Sequence, residues 1–120
     1  MRSNAAVLLL IASTVVMLSC NYGGEPIDVV DPATIPQTVA YHDTVRAIMN
    51  YYCTACHSPG SQVGTIKDYD YSTYNGVVAG YSGIEETVYA EQSMPPGAAR
   101  RLTAREQALL QRWAKNGFPQ

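Results

Sequence analysis

The sequence Cys53-Thr54-Ala55-Cys56-His57 lies near the middle of a chain of 120 residues. Two cysteines three positions apart project from nearly the same face of a helical turn, so their thiols can reach one edge of a flat ligand together. The histidine that follows is placed to bring a ring nitrogen to a metal at the centre of that ligand. This pattern is typical of covalent c-type haem attachment, and it predicts thioethers at Cys53 and Cys56 with His57 as the proximal iron ligand.

Two other uses of paired cysteines are less well supported by the sequence. A redox-active dithiol does not require the adjacent histidine and usually follows a strand of an α/β unit, which is not predicted here. A structural zinc site needs a second pair of ligands, but His42 is the other histidine of the chain and there are three cysteines in all. The sequence therefore favours one covalently bound haem c.

The second axial ligand decides what a haem iron does. Met94 lies in Ser93-Met94-Pro95-Pro96-Gly97, where two prolines restrict the backbone and can hold a thioether in place. Met49 lies within a predicted amphipathic helix and is expected to pack in the core, and His42 at the start of that helix is the alternative ligand. Because His/Met ligation is typical of electron carriers, Met94 predicts electron transfer, whereas an exchangeable sixth position would indicate a peroxidase or a gas sensor.

The N-terminal segment has the organisation of an export signal. Arg2 precedes fourteen almost wholly apolar residues, 5–18, and this run is shorter than the ~20 residues needed to span a bilayer. Met17-Leu18-Ser19-Cys20 resembles the lipobox of bacterial lipoproteins, which implies lipidation of Cys20 as the first mature residue. We therefore expect a signal peptide at residues 1–19 and a mature protein anchored by lipid on the periplasmic side of a bacterial membrane.

Prolines and glycines set the next boundary. Residues 20–37 contain three prolines and two glycines without helical or strand periodicity, which predicts a flexible tether. The folded unit is then a single small domain, residues 38–120.

Periodicity within this domain predicts helices. Residues 42–52 carry an apolar stripe at helical spacing, formed by Val45, Ile48, Met49 and Tyr52. Residues 70–78 and 84–90 are predicted to be two short helices separated by Gly80 and Gly83. The last helix follows a capping box, Thr103 to Glu106, and ends at Asn116-Gly117. Its predicted buried side consists of Leu102, Leu109, Leu110 and Trp113.

The stretch from about Tyr41 to Phe118 resembles a class I cytochrome c domain of exported bacterial mono-haem proteins. The matching residues are Cys53, Cys56, His57, Tyr74, Gly76, Ser93-Met94-Pro95-Pro96-Gly97, Leu102-Thr103 and Trp113. The resemblance implies an all-α, class I cytochrome c-like fold of about four short helices around one covalent haem. It also implies haem attachment through Cys53 and Cys56, with His57 as the proximal and Met94 as the distal ligand.

The charge balance bears on partners. The full chain has a net charge of −2 and, without the signal peptide, seven basic residues against ten acidic ones, which argues against nucleic-acid binding. We expect an electron carrier rather than an enzyme, with one redox protein as electron donor and another as acceptor. A membrane respiratory complex is a candidate for either partner. A basic cluster near the last helix is either a docking patch for an acidic partner or a solvated face; it contains Arg100, Arg101, Arg105, Arg112 and Lys115.

Overall fold

The computed structural model describes residues 29–61 and 69–120, and every regular element within these ranges is helical. The prediction of an all-α chain is confirmed. The α-helices are α1 (Arg46–Tyr52), α2 (Tyr74–Ile84) and α3 (Ala104–Lys115). A π-helical segment, Tyr41–Val45, leads into α1, a second, Glu85–Ala90, continues α2, and a 3-10 helix, Pro32–Thr34, precedes them all. The predicted signal peptide and Cys20 lie outside the described residues.

The helix that leads to the cysteine motif forms as its apolar stripe predicts. Val45, Ile48 and Met49 are buried, with at most 7% of each residue exposed, and Tyr52 is half-buried. The helical segment begins at Tyr41, one residue before the predicted start, and Asp43 lies in its first turn. Met49 therefore packs in the core, as the sequence predicts.

The prediction of two short helices at residues 70–78 and 84–90 is wrong. One continuous helical segment runs from Tyr74 through Ile84 and on to Ala90. Thr73 is its N-cap, and the Thr73 hydroxyl accepts the Gly76 N–H at 3.1 Å. The helix continues through Gly80, and a glycine is required there for packing. A Cβ at this position would lie 2.6 Å from Tyr71 Cε1 and 2.8 Å from Tyr69 Cδ1.

The last helix has the predicted ends. The Thr103 hydroxyl accepts the Glu106 N–H at 3.2 Å, and the Glu106 carboxylate accepts the Thr103 N–H at 2.8 Å, which completes the capping box. After Asn116, Gly117 has φ of +80°, a conformation that glycine adopts without a steric penalty. Leu102, Leu110 and Trp113 are buried as predicted, and Leu109 is half-buried.

Trp113 lies at the centre of the core and is fully buried. Four aromatic rings surround the indole at centroid distances of 4.9–6.2 Å, those of Tyr41, Tyr74, Tyr81 and Phe118. The indole N–H donates to the Pro119 carbonyl at 2.8 Å, and the same carbonyl accepts the Tyr41 N–H at 3.0 Å. The start of the first helical segment, α2, α3 and the C-terminal tail thus meet at one residue.

The last part of the stretch that the sequence assigns to a tether packs on α3. Ile35 is 5% exposed. The Arg105 guanidinium donates to the Thr34 carbonyl at 3.3 Å, and that of Arg112 donates to Gln37 Oε1 at 3.1 Å. These two arginines of the basic cluster therefore connect parts of the same chain.

Within residues 29–61 and 69–120, no helix has both the length and the apolar character needed to cross a membrane.

Gly80 and Gly83 form a matched pair on α2, because an added methyl group meets different surroundings at each. Gly80→Ala places its Cβ within 3 Å of two tyrosine rings, whereas at Gly83 the nearest atoms are 3.7 Å away. We expect Gly80→Ala to lower the free energy of unfolding by about 1–3 kcal/mol through overpacking. Gly83→Ala should raise it by about 0.5–1 kcal/mol through helix propensity. Urea unfolding followed by circular dichroism measures both, and equal effects would contradict the packing described.

Candidate haem-binding site

The cysteine motif forms a compact turn directly after α1. The Cys53 N–H donates to the Met49 carbonyl at 2.9 Å and so extends the helix by one bond. The Cys53 carbonyl in turn accepts the N–H groups of Cys56 at 3.2 Å and His57 at 2.9 Å. The two half-buried cysteines carry free thiols on this turn, and the histidine immediately follows. The local backbone therefore brings together the three motif residues that the sequence singled out.

Hydroxyl groups within the motif and just after it stabilise this turn. Thr54 Oγ1 donates to the Asn50 carbonyl at 3.0 Å, Ser58 Oγ to the Thr54 carbonyl at 2.7 Å, and Ser61 Oγ to the Cys56 carbonyl at 3.0 Å. Short polar side chains often bond to carbonyls four residues earlier in this way. The sequence prediction gave these hydroxyl groups no role, although the four-residue spacing of Thr54 and Ser58 from their acceptors could have indicated one.

Tyr71 connects the histidine to α2. Its N–H donates to the His57 carbonyl at 2.8 Å, and its ring centroid lies 5.1 Å from that of the imidazole. The Tyr71 hydroxyl donates to the Gly80 carbonyl at 3.2 Å, and the residue is buried. The position of His57 is therefore coupled to α2 through one tyrosine, which no local sequence pattern indicated.

The electrostatic surroundings of Cys53 do not suit a redox-active thiolate. Burial, with a smaller contribution from nearby Cys56, raises the pKa of Cys53 to about 12. Reactive cysteines have a lowered pKa because the thiolate is the nucleophile. This direction does not support Cys53 as the attacking thiolate of a redox-active pair.

Met94 lies on a separate loop that is bonded on two sides. The N–H groups of Ser93 and Met94 donate to the Thr87 carbonyl at 2.8 and 3.1 Å. The Arg101 guanidinium donates to the carbonyls of Gln92 and Met94 at 2.5 and 3.2 Å. Met94 is half-buried, and the Met94–Pro95 peptide bond is cis. Both peptide groups of the candidate ligand are thus held in place.

The two other candidate ligands have different positions. Met49 is fully buried in the core between helices. His42 is exposed, with its ring against Tyr41 at a centroid distance of 5.5 Å. His42 lies eleven positions before Cys53 along nearly continuous helix, roughly 16 Å at 1.5 Å per residue. Met94 differs from both in lying half-buried on a loop whose backbone is hydrogen-bonded on two sides.

The end of α1 is joined to the start of α3 next to the motif. The Tyr52 hydroxyl donates to Glu106 Oε2 at 2.8 Å, and the Arg100 guanidinium donates to the Tyr51 hydroxyl at 3.1 Å. Burial opposes ionisation of Glu106, but hydrogen bonds from Thr103 and Tyr52 outweigh it and lower the pKa of the carboxyl. The sequence analysis identified Glu106 only as a capping residue and missed this second role.

A bare metal ion and a haem need different ligands from the protein. Within the described ranges, no three His, Cys, Asp or Glu side chains group closely enough to hold a metal ion. A haem needs no such group, because the porphyrin supplies four nitrogen ligands and the protein adds only axial ones. Cys53, Cys56 and His57 are residue types that could hold such a group from one turn, and Met94 lies on a separate loop.

Comparisons with protein-family models, with curated proteins and with solved structures found no significant match to this chain. The resemblance to class I cytochromes c therefore stands on the motif residues themselves.

The lowered pKa of Glu106 makes its contribution to stability dependent on pH. The contribution is present above the ordinary carboxyl pKa of 4.5 and is lost as pH falls through the lower pKa of the folded state. We expect Glu106→Gln to lower the free energy of unfolding at pH 7 by about 0.5–1 kcal/mol, the range of an accessible hydrogen bond. The difference from wild type should shrink below pH 4.5 in urea titrations. Glu86→Gln, at an exposed glutamate, is the control, and a constant difference for Glu106→Gln would contradict the assignment.

Proposed function

We propose that this chain is an exported mono-haem c-type cytochrome that carries single electrons between redox partners. The observation that carries the proposal is the turn at residues 53–57, where two free thiols lie side by side and His57 follows directly. Cys53 and Cys56 would form the thioethers, and His57 and Met94 would be the axial ligands. We also propose that the helical domain has a class I cytochrome c-like fold.

The residues of the chain have separate tasks in this function. The haem supplies the one-electron Fe(III)/Fe(II) couple. Cys53 and Cys56 fix its edge, and His57 is held through its backbone by Cys53 and Tyr71. The Met94 loop is held by Thr87 and Arg101. Ligands that do not move between oxidation states keep the reorganisation energy small, which favours outer-sphere transfer without making or breaking a bond.

The alternative is a haem protein with an exchangeable sixth ligand, acting as a peroxidase or a gas sensor. The bonds on both sides of Met94 favour the electron carrier, because a ligand on a fixed loop competes well with external molecules. Carbon monoxide separates the two functions: we expect the reduced protein to resist binding, whereas rapid stoichiometric binding would support the alternative.

The location and partners follow from the sequence. We propose export, lipidation at Cys20 and residence at the periplasmic side of a bacterial membrane, with a redox protein as donor and another as acceptor. Arg101, Arg105 and Arg112 bond to their own chain. These bonds favour an intramolecular role for the three arginines over a docking patch for a partner. Mass spectrometry of the N-terminal peptide should show an acylated Cys20, and an unmodified thiol would contradict the anchor.

Met94 and Met49 offer a direct comparison between a candidate ligand and a core residue. In the oxidised protein, Met94→Ala should abolish the methionine-to-iron charge-transfer band and leave the haem covalently attached. The reduced variant should then bind carbon monoxide rapidly. Met49→Leu, a volume-conserving change at a fully buried site, should keep the band and lower the free energy of unfolding by less than about 1.5 kcal/mol. Loss of the band in Met49→Leu but not in Met94→Ala would overturn the ligand assignment.

A further inference from the structure

We infer that Arg101 is a positioning residue that holds the Met94 loop and slows release of the Met94 thioether from the iron. The inference rests on the proposed function, in which Met94 is the distal ligand. It concerns a residue that the sequence analysis placed only in a basic cluster.

One side of the loop is attached to the helical segment that continues α2. The Thr87 carbonyl accepts the N–H groups of Ser93 at 2.8 Å and Met94 at 3.1 Å, and it also accepts the Ser93 hydroxyl at 3.3 Å. The Thr87 hydroxyl donates to the Gly83 carbonyl at 2.7 Å. These bonds hold the backbone N–H groups of Ser93 and Met94 against the helical segment that continues α2.

Arg101 fixes the other side. Its Nη1 donates to the Gln92 carbonyl at 2.5 Å and to the Met94 carbonyl at 3.2 Å, so one guanidinium nitrogen bridges the residues on either side of Ser93. The Met94 N–H is bonded to Thr87 and its carbonyl to Arg101. The backbone of Met94 therefore cannot rotate far without losing one of these bonds.

The loop also contains a backbone conformation that needs support. Gln92 has φ of +54°, in the left-handed region that costs a residue with a side chain roughly 1 kcal/mol or more. Such conformations persist where the surroundings hold them. The charge-assisted bond from Arg101 to the Gln92 carbonyl supplies that support.

The direction of Arg101 follows from its neighbours in the chain. Leu102 is buried at 6% exposure, and Thr103 is the N-cap of α3, so the backbone beside Arg101 is fixed by the helix start. Arg101 itself is exposed. Its replacement therefore removes the bonds to the loop without opening a cavity in the core.

Arg105 provides the matched control. It is also exposed, and its guanidinium also bonds to a carbonyl and to a second oxygen, but both belong to Thr34. Arg105→Gln removes the same charge and a similar pair of hydrogen bonds without affecting the Met94 loop.

The test is the rate at which imidazole binds to the oxidised holoprotein at fixed pH, since binding must wait for the thioether to leave. We expect Arg101→Gln to bind imidazole roughly tenfold faster than wild type, as expected for loss of two partly exposed hydrogen bonds. Arg101→Lys should be intermediate, and Arg105→Gln should match wild type. In the Met94→Ala background, Arg101→Gln should have no further effect, which a merely structural role would not predict.

Two different failures can be told apart. Equal rates for Arg101→Gln, Arg105→Gln and wild type, in proteins whose charge-transfer band depends on Met94, would overturn the positioning role alone. A wild-type protein without that band, or one whose band survives Met94→Ala, would overturn the distal ligand and the inference together.

Discussion

The buried indole of Trp113 holds the helices in their relative positions, and the rest of the structure depends on this contact. It is fully buried, and its N–H shares the Pro119 carbonyl with the N–H of Tyr41. One carbonyl thus joins α3, the C-terminal tail and the first residue of the helical segment that leads to the cysteine motif. Because that segment runs without a break to Tyr52, fixing its start also determines where Cys53 lies.

The first turn of α3 is the second reference point. Glu106 accepts the Tyr52 hydroxyl at the end of α1 while it completes the helix cap with Thr103. Two residues before that cap, Arg101 bonds to the loop that carries Met94. The end of α1, just before the cysteine motif, is therefore bonded to the first turn of α3, and the Met94 loop is bonded to Arg101 just before that helix. A frame of this kind would suit the proposed electron carrier, whose axial ligands should keep their positions in both oxidation states.

Features that depend on near neighbours were predictable from the sequence. The stripe of α1, the capping box of α3 and the turn at Gly117 each depend on residues three or four positions apart, and the structure has all of them. The cysteine motif belongs to this group because its geometry is that of a single turn. Local hydrogen bonds form the turn itself, whereas Tyr71, fourteen positions later, adds the bond that couples His57 to α2.

Features that depend on distant residues were not predictable in the same way. Gly80 reads as a helix breaker until Tyr69 and Tyr71 are seen to pack against it. Similarly, the sequence assigns Pro32–Thr34 and Ile35 to a tether, but the first forms a 3-10 helix and Ile35 is buried. The hydrogen bond from Tyr52 to Glu106 joins residues 54 positions apart, and no sequence periodicity indicates a contact at such a separation. Neighbouring residues in the sequence therefore indicate where the helices lie along the chain, but not how the helices contact one another.

The account depends on whether haem is bound covalently at Cys53 and Cys56. Intact-mass spectrometry of the protein, matured in a host that attaches c-type haem and then denatured, tests this directly. We expect the mass of the mature chain plus one haem, with neither the Cys53 nor the Cys56 thiol available to an alkylating reagent. A denatured chain that has lost its haem, with Cys53 and Cys56 both alkylated or joined in a disulfide, would contradict it.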